Sequence, residues 1–570
     1  MFFYIYGTLR KTRFIKLSNN LKILSMKKVL TFFAGIIVPG ILMAGGLVTN
    51  TNQSAAWVRL PARNASTDID AVYYNPAGLM KLQNGFHISV SNQTIFQTRE
   101  VENFYKGPGG AFGLNNPLFT GKVKAPLFPA IYAAYKTERL AFSIGFNPIG
   151  GGGGAEYKEG LPSFEMTPSD LVPALASSQG VSDYRLDAYL KGSSVYFGLQ
   201  GGVSFKVNEW LSVAAGLRYV MAKNTYQGHL QDIELLQGTN WIRADAIMTG
   251  IANAAKAGGD GLTPLISGGA GSLTPAQAAT AGIITTAQRD AIVNGLLSLG
   301  VSNASSLTIS QCQTAYYGAQ AKYTATATLL GDQEVDVEQT GSGFSPFFSV
   351  NISPSENLNI AVKYEMKTTM QLANKTSKDF LTGYTTTGTP ITMFPDGDET
   401  PADMPAMLSA GIDYRLSDAF KVSLGGNYFF DKGANYGRKL DLDNNSATPS
   451  TFVKNKDIID FNGWSANCGL ELNLSEKLLI SGGYILSNKG VNSKYQSDLT
   501  FGLATHTFGA GGAYRIMDNL TINAGASYTL YIKDEKEIDH VFQATGVLYK
   551  ALETYLKNTV VFGVGVDFSF

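Results

Sequence analysis

The sequence predicts an all-β membrane protein, a transmembrane antiparallel β-barrel of about 14 strands. Charged residues make up only 16% of the 570 residues, against about 25% in an average water-soluble domain, so much of the surface is expected to face lipid. After residue 46, no uncharged apolar run approaches the roughly 20 residues that a membrane helix needs. Because only helices and closed barrels satisfy every backbone group inside a bilayer, a barrel is the remaining architecture.

Apolar and polar residues alternate along most of the chain, which places them on opposite faces of a strand. In residues 358–367, for example, one face is apolar or aromatic and suits lipid, while the other suits a wet lumen. The even strand number is what a single-chain bacterial barrel requires. The predicted strands are 85–97, 128–136, 140–147, 195–207, 211–226, 335–352, 358–372, 405–415, 420–436, 461–474, 478–487, 501–516, 520–533 and 559–570.

The last predicted strand ends on an outward-facing aromatic residue, Phe570. A terminal aromatic of this kind is typical of the signal that the outer-membrane assembly machinery reads. We therefore expect a monomeric, multi-pass protein of the outer membrane of a Gram-negative bacterium. Its expected partners are the assembly machinery, outer-membrane lipid and lipopolysaccharide.

The N-terminus carries the only long apolar run, which follows Lys27 and Lys28 and ends in small residues. This layout predicts a signal peptide over residues 26–44. Residues 1–25 are either an extended basic region or lie upstream of a true start at Met26, and we favour the second. Removing residues 1–44 takes away basic residues but no acidic ones, so the mature chain is mildly acidic and no nucleic-acid partner is expected.

One connection between strands is exceptionally long, at about residues 228–328 within the barrel region 85–570. It is rich in Ala and Gly and contains helix start signals, Thr274 before Pro275 and Thr286. We therefore predict a helical extracellular insertion. An apolar stripe on its second helix is expected either to form a groove that captures ligand or to pack onto the barrel rim. The stripe consists of Ile292, Val293, Leu296 and Leu297.

Three stretches resemble the FadL family of outer-membrane transporters of long-chain fatty acids and related hydrocarbons. They are "NPAGL" at residues 75–79, residues 126–157 with "FNPIGGGGG", and residues 403–432. The resemblance implies a fourteen-stranded barrel, an extracellular apolar groove, a deeper apolar pocket and a side opening at a kinked third strand. It also implies an N-terminal hatch at 45–84 inside the lumen. The hatch motif would be Asn75, Pro76 and Ala77.

The residues alone also predict a kink in the third strand. Pro148 has no N–H for the strand ladder, and the glycines that follow it weaken a strand further. In a closed barrel such a loss of pairing is a gap in the wall, although the strand could instead end at Asn147. The residues of this predicted lateral gate are Phe146, Asn147, Pro148, Gly150 and Gly151.

Two basic residues of the fifth strand are candidates for binding a carboxylate head group. Periodicity turns Arg218 inward, while the resemblance to the family favours Lys223. The alternative is a lumen cation that pairs with an acid such as Glu365 or Asp413 for structural reasons.

The ligand is therefore predicted to be a fatty acid or another hydrophobic molecule, carried passively and without a cofactor. No nucleotide-binding, metal-binding or hydrolase motif is present in the sequence, so an enzyme is not expected. Two other functions stay open at this point, a general diffusion porin and a structural or adhesive barrel that acts through its long loops.

Overall fold

The protein forms a closed antiparallel barrel of fourteen strands. The computed structural model describes residues 49–110, 112–384, 388–436, 439–440, 451–452, 455–542 and 545–570. The predicted signal peptide and residues 1–25 lie outside the described residues. The strands are β1 (Gly85–Asn103), β2 (Leu118–Lys136), β3 (Leu140–Tyr157), β4 (Val181–Lys206), β5 (Leu211–Gln237), β6 (Gln333–Ser355), β7 (Leu358–Glu365, continued by Gln371–Lys378), β8 (Met407–Arg415), β9 (Phe420–Phe429), β10 (Trp464–Asn473), β11 (Leu478–Asn488), β12 (Thr505–Met517), β13 (Leu520–Tyr531) and β14 (Val547–Ser569).

The barrel closes where the first strand pairs with the last one. The register of β1 and β14 runs from His87 opposite Ser569 to Asn103 opposite Glu553. Below it, the backbone N–H of Phe86 donates to the oxygen of Phe570 at 2.7 Å, and the N–H of Phe570 donates back at 2.9 Å. Closure therefore pairs the backbone of both ends, which a barrel in lipid requires.

Every predicted strand is present, and the main differences lie at the extracellular ends. β4 has 26 residues and β5 has 27, far more than the about 9–11 that cross a bilayer. Their outer parts were missed because alternation fades where the outward face no longer meets lipid. The prediction of a strand at 420–436 was wrong at its end, since β9 stops at Phe429 and a short 3₁₀ turn follows at Asp431–Gly433.

The long insertion is helical, as predicted, but it begins later than residue 228. β5 continues to Gln237 and pairs with a short strand, Asn240–Arg243. The first helix of the insertion then starts at Ala244, and Thr274 and Thr285 each begin a later helix with a reciprocal capping box. None of the helices in the described ranges is long and apolar enough to cross a membrane.

The α-helices number nine over the described residues. Two short ones precede the barrel, one connects β3 to β4, five build the insertion, and one lies before β10. They are α1 (Ala55–Arg59), α2 (Ala71–Tyr74), α3 (Pro162–Gln179), α4 (Ala244–Asp260), α5 (Thr263–Ser267), α6 (Pro275–Thr280), α7 (Thr286–Ser298), α8 (Ile309–Leu329) and α9 (Asn455–Ile458).

The extracellular end of the lumen is covered by α3 and its neighbours. Phe164, Val172 and Leu175 of this helix pack in an apolar core with the outer parts of β4 and β5. Glu165 on the same helix accepts a hydrogen bond from the hydroxyl of Tyr184 at 2.9 Å. Burial raises the pKa of the Glu165 carboxyl, and hydrogen bonds from its neighbours oppose that rise.

Candidate functional site

The backbone ladder of the barrel has an opening between β2 and β3, a stretch without strand pairing. Their pairing runs from Lys136 opposite Ala141 up to Ile131 opposite Phe146, and it resumes only at Val123 opposite Ala155. Residues 124–130 of β2 therefore have no partner on β3, although they stay beside β1. Pro148 lies in the part of β3 that has no partner on β2, although it stays in register with Phe197 of β4.

The glycines after Pro148 shape β3 on both sides of this opening. β3 keeps its pairing with β4 through two irregular steps, at Pro148/Gly150 and Gly150/Gly153. Gly151 has φ +105°, and a Cβ there would lie 2.2 Å from the oxygen of Ser194. Gly151 is thus required by the backbone. Gly152 has no such restriction, because a Cβ there would meet nothing within 4 Å.

A cavity of about 490 Å³ inside the barrel reaches this opening, and we call it the upper cavity. Its wall includes the gap residues Pro148, Gly150, Gly151 and Gly152. Large apolar side chains line much of the rest, among them Trp57, Ile95, Leu127, Phe128, Phe197 and Val561. The cavity therefore borders the part of β3 that has no partner on β2.

The N-terminal segment, residues 49–84, starts at the same opening. Thr49 forms an antiparallel bridge with Gly150, and the N–H of Asn50 donates to the oxygen of Ile149 at 3.0 Å. The side chain of Asn147 donates to Gln53 Oε1 at 2.5 Å. The kinked part of β3 is therefore held from the inside of the barrel by this segment.

The Asn75-Pro76-Ala77 turn anchors the other end of the segment to the wall. Pro76 begins a 3₁₀ helix that runs to Lys81. The N–H of Ala77 donates to Ser349 Oγ, and Ser204 Oγ and Ser212 Oγ donate to the oxygens of Pro76 and Ala77, at 2.7 to 2.8 Å. Three neighbouring strands, β4, β5 and β6, thus hold the turn near their periplasmic ends.

The side chain of Asn75 does not cap that helix, contrary to the usual role of asparagine before proline. Its Nδ2 donates to the oxygen of Ser66 at 3.1 Å and to Asn351 Oδ1 at 2.7 Å. Asn75 therefore joins two parts of the N-terminal segment to β6. Gly78 packs against it, since a Cβ there would lie 2.4 Å from Asn75 Nδ2.

Arg218 faces inward, as its position in the alternation predicts, and is buried in an ion cluster. Its guanidinium donates to both oxygens of Glu365 at 2.8 and 2.9 Å and to Gln200 Oε1 at 2.9 Å. Lys363 shares Glu365 at 2.7 Å, and both cations lie over the ring of Tyr73. Arg218 lines neither large cavity, so its contacts are those of the structural alternative.

Lys223 faces outward, and the prediction that it meets a ligand in the lumen was wrong. It shares a face of β5 with Leu217, and its side chain is 56% exposed and paired with Glu338. The alternation of β5 decides this, because Lys223 is an odd number of residues from Arg218.

The apolar stripe of α7 forms no open groove, and this prediction was also wrong. Ile292 and Leu296 are buried in a core that belongs to the insertion itself, and Val293 packs against that core. Leu297 alone of the four is exposed, at 46%. The stripe does not pack on the barrel rim either, because α4, α7 and α8 provide enough apolar surface to cover one another.

A second cavity of about 570 Å³ lies below the N-terminal segment, among the short turns of the barrel, and we call it the lower cavity. Arg59 of α1 lies on its wall and donates to Glu471 Oε2 at 2.7 Å and to Ser481 Oγ at 2.8 Å. Its lining is rich in charged side chains, including Arg63, Asp70, Asp413 and Lys421. The N-terminal segment thus separates an upper, more apolar space from a lower, more charged one.

Sequence reasoning missed the charged residues of the upper cavity, which are Arg99, Lys489 and Lys557. Arg99 lies in the outer part of β1, and Lys557 in the outer part of β14, where alternation gave no signal. The sequence offered one sign of this cluster: the first and the last strand, which must pair when the barrel closes, each carry a basic residue.

The fold and these contacts define a class of protein, a transmembrane β-barrel of the outer-membrane type that is filled by an N-terminal segment. The chain has the fold of a FadL homologue from Pseudomonas aeruginosa, with a TM-score of 0.53 and 11% identity over 94% of this chain and 100% of that one. No family model and no curated protein sequence matches it. Two toluene transporters also align, TodX of Pseudomonas putida (TM-score 0.44, 12% identity, 89% of this chain and 95% of that one) and TbuX of Ralstonia pickettii (0.44, 15%, 90% and 98%).

Proposed function

We propose that this chain belongs to the FadL family and moves hydrophobic molecules passively from the upper cavity into the membrane, sideways through the wall. The observation that carries the proposal is the loss of pairing over residues 124–130, beside the cavity of about 490 Å³. In a barrel without such a break, the backbone ladder would close the wall.

The N-terminal segment obstructs the straight path along the barrel axis, which supports the same conclusion. Residues 49–84 lie across the lumen and bond to many strands, from β3 at Asn147 to β13 at Asn523. We propose that this segment is the hatch and that it directs ligand to the side. Transfer needs no energy source, because each CH₂ group removed from water gains about 0.8 kcal/mol of free energy, whether it enters the apolar cavity or the lipid.

Blocking the gap tests the proposal. We expect Gly152→Trp to fold but to reduce uptake of a hydrophobic substrate severalfold, because the site has open space for a side chain and borders the gap. The measurement is uptake of radiolabelled decanoate and toluene by cells, with surface expression and heat-modifiable gel mobility as checks of folding.

The matched control is Gly318→Trp. A Cβ at Gly318 also meets nothing within 4 Å, but this residue lies on α8 in the insertion. Unchanged uptake by Gly152→Trp, at normal surface expression, would rule out the lateral path. Large open-channel conductance of the purified protein in planar bilayers would instead favour the porin.

The insertion supports a second candidate function, an adhesive barrel. Residues 244–329 build a small core of their own and so present a folded helical unit outside the membrane. Replacing residues 244–329 by a short Gly-Ser linker should leave uptake intact if transport alone is the function. Loss of cell or surface attachment in that variant would support adhesion.

The C-terminus is proposed to interact with the assembly machinery. Phe570 is 64% exposed at the end of the barrel seam and stacks beside Phe86 with ring centroids 5.7 Å apart. An aromatic that stays accessible after closure suits recognition from outside.

A further inference from the structure

The helix α3 lies over the outer wall of the upper cavity. Its apolar side chains share a core with three residues that also line this cavity, Tyr157, Leu190 and Tyr226. Near the start of the helix, the N–H of Ser163 donates to Asp498 Oδ2 at 3.1 Å. The residue after Asp498, Leu499, lines the cavity as well. Displacement of α3 would therefore remove part of the cover of the cavity at its extracellular end.

A hairpin at the barrel seam reaches the same level as α3, and we call it the seam hairpin. It consists of the strand Asp534–Phe542 and residues 547–555 of β14. It extends the seam beyond β13, which ends at Tyr531. Since β14 has 23 residues and only about 9–11 residues of a strand cross a bilayer, the seam hairpin projects beyond the membrane on the extracellular side.

One carboxylate of α3, Asp170, joins the helix to the seam hairpin. Its Oδ2 lies 2.7 Å from Nε2 of His540, and its Oδ1 accepts the hydroxyl of Tyr105 at 2.5 Å. The rings of Tyr105 and His540 meet edge to face, with centroids 4.8 Å apart. Asp170 is only 5% exposed. Because a buried carboxylate needs hydrogen-bonding partners, these two side chains hold α3 against the hairpin.

Several elements place titratable groups around His540. Asp170 comes from α3, Tyr105 from the connection between β1 and β2, and Tyr549 from β14 as the cross-strand partner. Burial and the Asp170 carboxylate raise the pKa of Tyr105, so its hydroxyl stays a neutral donor. Three charged residues of the hairpin lie on its opposite face, because side chains alternate along a strand. They are Glu537, Asp539 and Lys550.

The seam hairpin carries a second buried titratable group, Glu553, which is 2% exposed. It accepts hydrogen bonds from Asn103 Nδ2 at 2.8 Å and from the hydroxyl of Tyr555 at 2.7 Å. Burial raises the pKa of Glu553 to about 7, and the Asp498 carboxylate adds to this rise. The two hydrogen bonds and the charge of Lys536, the cross-strand partner, oppose it. Ionisation of Glu553 therefore adds a negative charge near the carboxylate that holds the start of α3.

His540 and Glu553 respond to pH with the same sign. A carboxyl whose pKa is raised in the closed arrangement supports that arrangement fully below its ordinary value of 4.5 and loses this support as the pH rises through about 7. Histidine ordinarily changes its charge between about pH 5 and pH 8. A charged imidazole binds a carboxylate more strongly than a neutral one does. Rising pH therefore weakens the contact at both residues.

We propose that the contact between α3 and the seam hairpin is an acid-strengthened latch that controls access to the upper cavity from outside. In acid, protonated His540 holds Asp170, and neutral Glu553 stays buried near Asp498, so α3 remains in place. In alkali, His540 loses its charge and Glu553 ionises, so the hairpin separates from α3 and the cover of the cavity loosens. The latch goes beyond the proposed function, because it does not depend on which molecule the cavity takes.

Hydrogen–deuterium exchange of the full-length protein in nanodiscs of zwitterionic lipid tests the latch. The protection of residues 162–179 is compared at about pH 5.5 and about pH 8.5, on either side of the range in which histidine titrates, after correction for the intrinsic rate of exchange. We expect about tenfold lower protection at the higher pH, because the free energy of opening follows the protons that the two groups bind. Residues 309–329 of α8 are the internal reference, and their protection should change less than about twofold.

Two variants separate the roles of the two groups. Glu553→Gln has nearly the same shape and is neutral at every pH, so it should keep most of the protection of α3 at the higher pH. His540→Gln should lower the protection at the lower pH severalfold, because a neutral amide binds Asp170 less strongly. The matched control is His229→Gln, which removes an extracellular histidine that pairs with Asp187 at 3.2 Å on the outer face of β5. It should leave the pH dependence of α3 unchanged.

Three results would overturn the latch. The first is equal protection of α3 at both pH values in the unmodified protein. The second is lower protection of α3 in Glu553→Gln than in the unmodified protein at the higher pH. The third is an unchanged pH dependence in both Glu553→Gln and His540→Gln. None of them touches the proposed transport function, because uptake by Gly152→Trp is compared with that of the unmodified protein at a single pH.

Discussion

The two parts of the lumen differ in whether their basic side chains are paired with acidic ones. Around the N-terminal segment Arg59, Arg63 and Arg218 each pair with a carboxylate, for example Arg218 with Glu365 at 2.8 Å. In the upper cavity Arg99 and Lys557 face each other across the seam, and neither pairs with a carboxylate of the described residues. The first set therefore joins the N-terminal segment to the wall, whereas the second set gives the fold no such contact. Substitutions at the two places should therefore have effects of opposite sign on stability.

The largest effect is expected from Glu365→Gln. This change leaves Arg218 and Lys363 buried together without an acid, and breaking a buried pair typically costs about 3–5 kcal/mol. The measurement is the free energy of unfolding in urea in the presence of vesicles. The control is Glu338→Gln, which breaks only the exposed pair with Lys223. A loss below about 1 kcal/mol, the range of exposed pairs, would mean that the cluster does not hold the segment.

Asn75→Ala should have the next largest effect. It removes the bonds to Ser66 and Asn351 inside the lumen, and leaving buried groups unsatisfied costs about 1–3 kcal/mol. Because those bonds fix the N-terminal segment to β6, brief openings should also appear as ion conductance in planar bilayers. Asn473→Ala, which removes one bond to the exposed turn at Asp418, serves as the control. Absence of ion conductance in both variants would argue against Asn75 as an anchor of the N-terminal segment.

Lys557→Gln should be neutral or slightly stabilising, in contrast to Glu365→Gln. It relieves the repulsion from Arg99 at the seam, an effect of about 0.2–1 kcal/mol. The same urea titration measures it, without added ligand. Substantial destabilisation would show that Lys557 has a structural partner, and the comparison between the two regions would then fail.

The smallest effect is expected from Lys223→Gln. Its side chain is exposed, and the pair with Glu338 is on the outer face, where ion pairs contribute about 0–1 kcal/mol. Raising the salt concentration should remove what difference there is, because exposed charges are screened. Persistence of a stability difference in high salt would mean that Lys223 makes a contact other than this ion pair.

The candidate site was predictable where strand periodicity reaches it. Arg218 was placed inward correctly by its position among Leu217 and Tyr219, and the same rule, applied to Lys223, would have rejected that residue. The α7 stripe was misread because apolar residues on a helix look alike whether they pack inside a small core or line a groove. Pro148 and its glycines marked a place where pairing fails, and the break in the β2–β3 ladder lies there.

By itself, the sequence determined the fourteen-stranded barrel, the helical nature of the insertion and the location of the β3 kink. These follow from periods of two residues, from helix start signals and from proline, all of which act between near neighbours in the chain. Only the tertiary structure decided that Arg218 is neutralised by Glu365 and that Arg99 and Lys557 are not. Those partners are separated by more than a hundred residues, so closure of the barrel, and not local pattern, brings them together or leaves them unpaired.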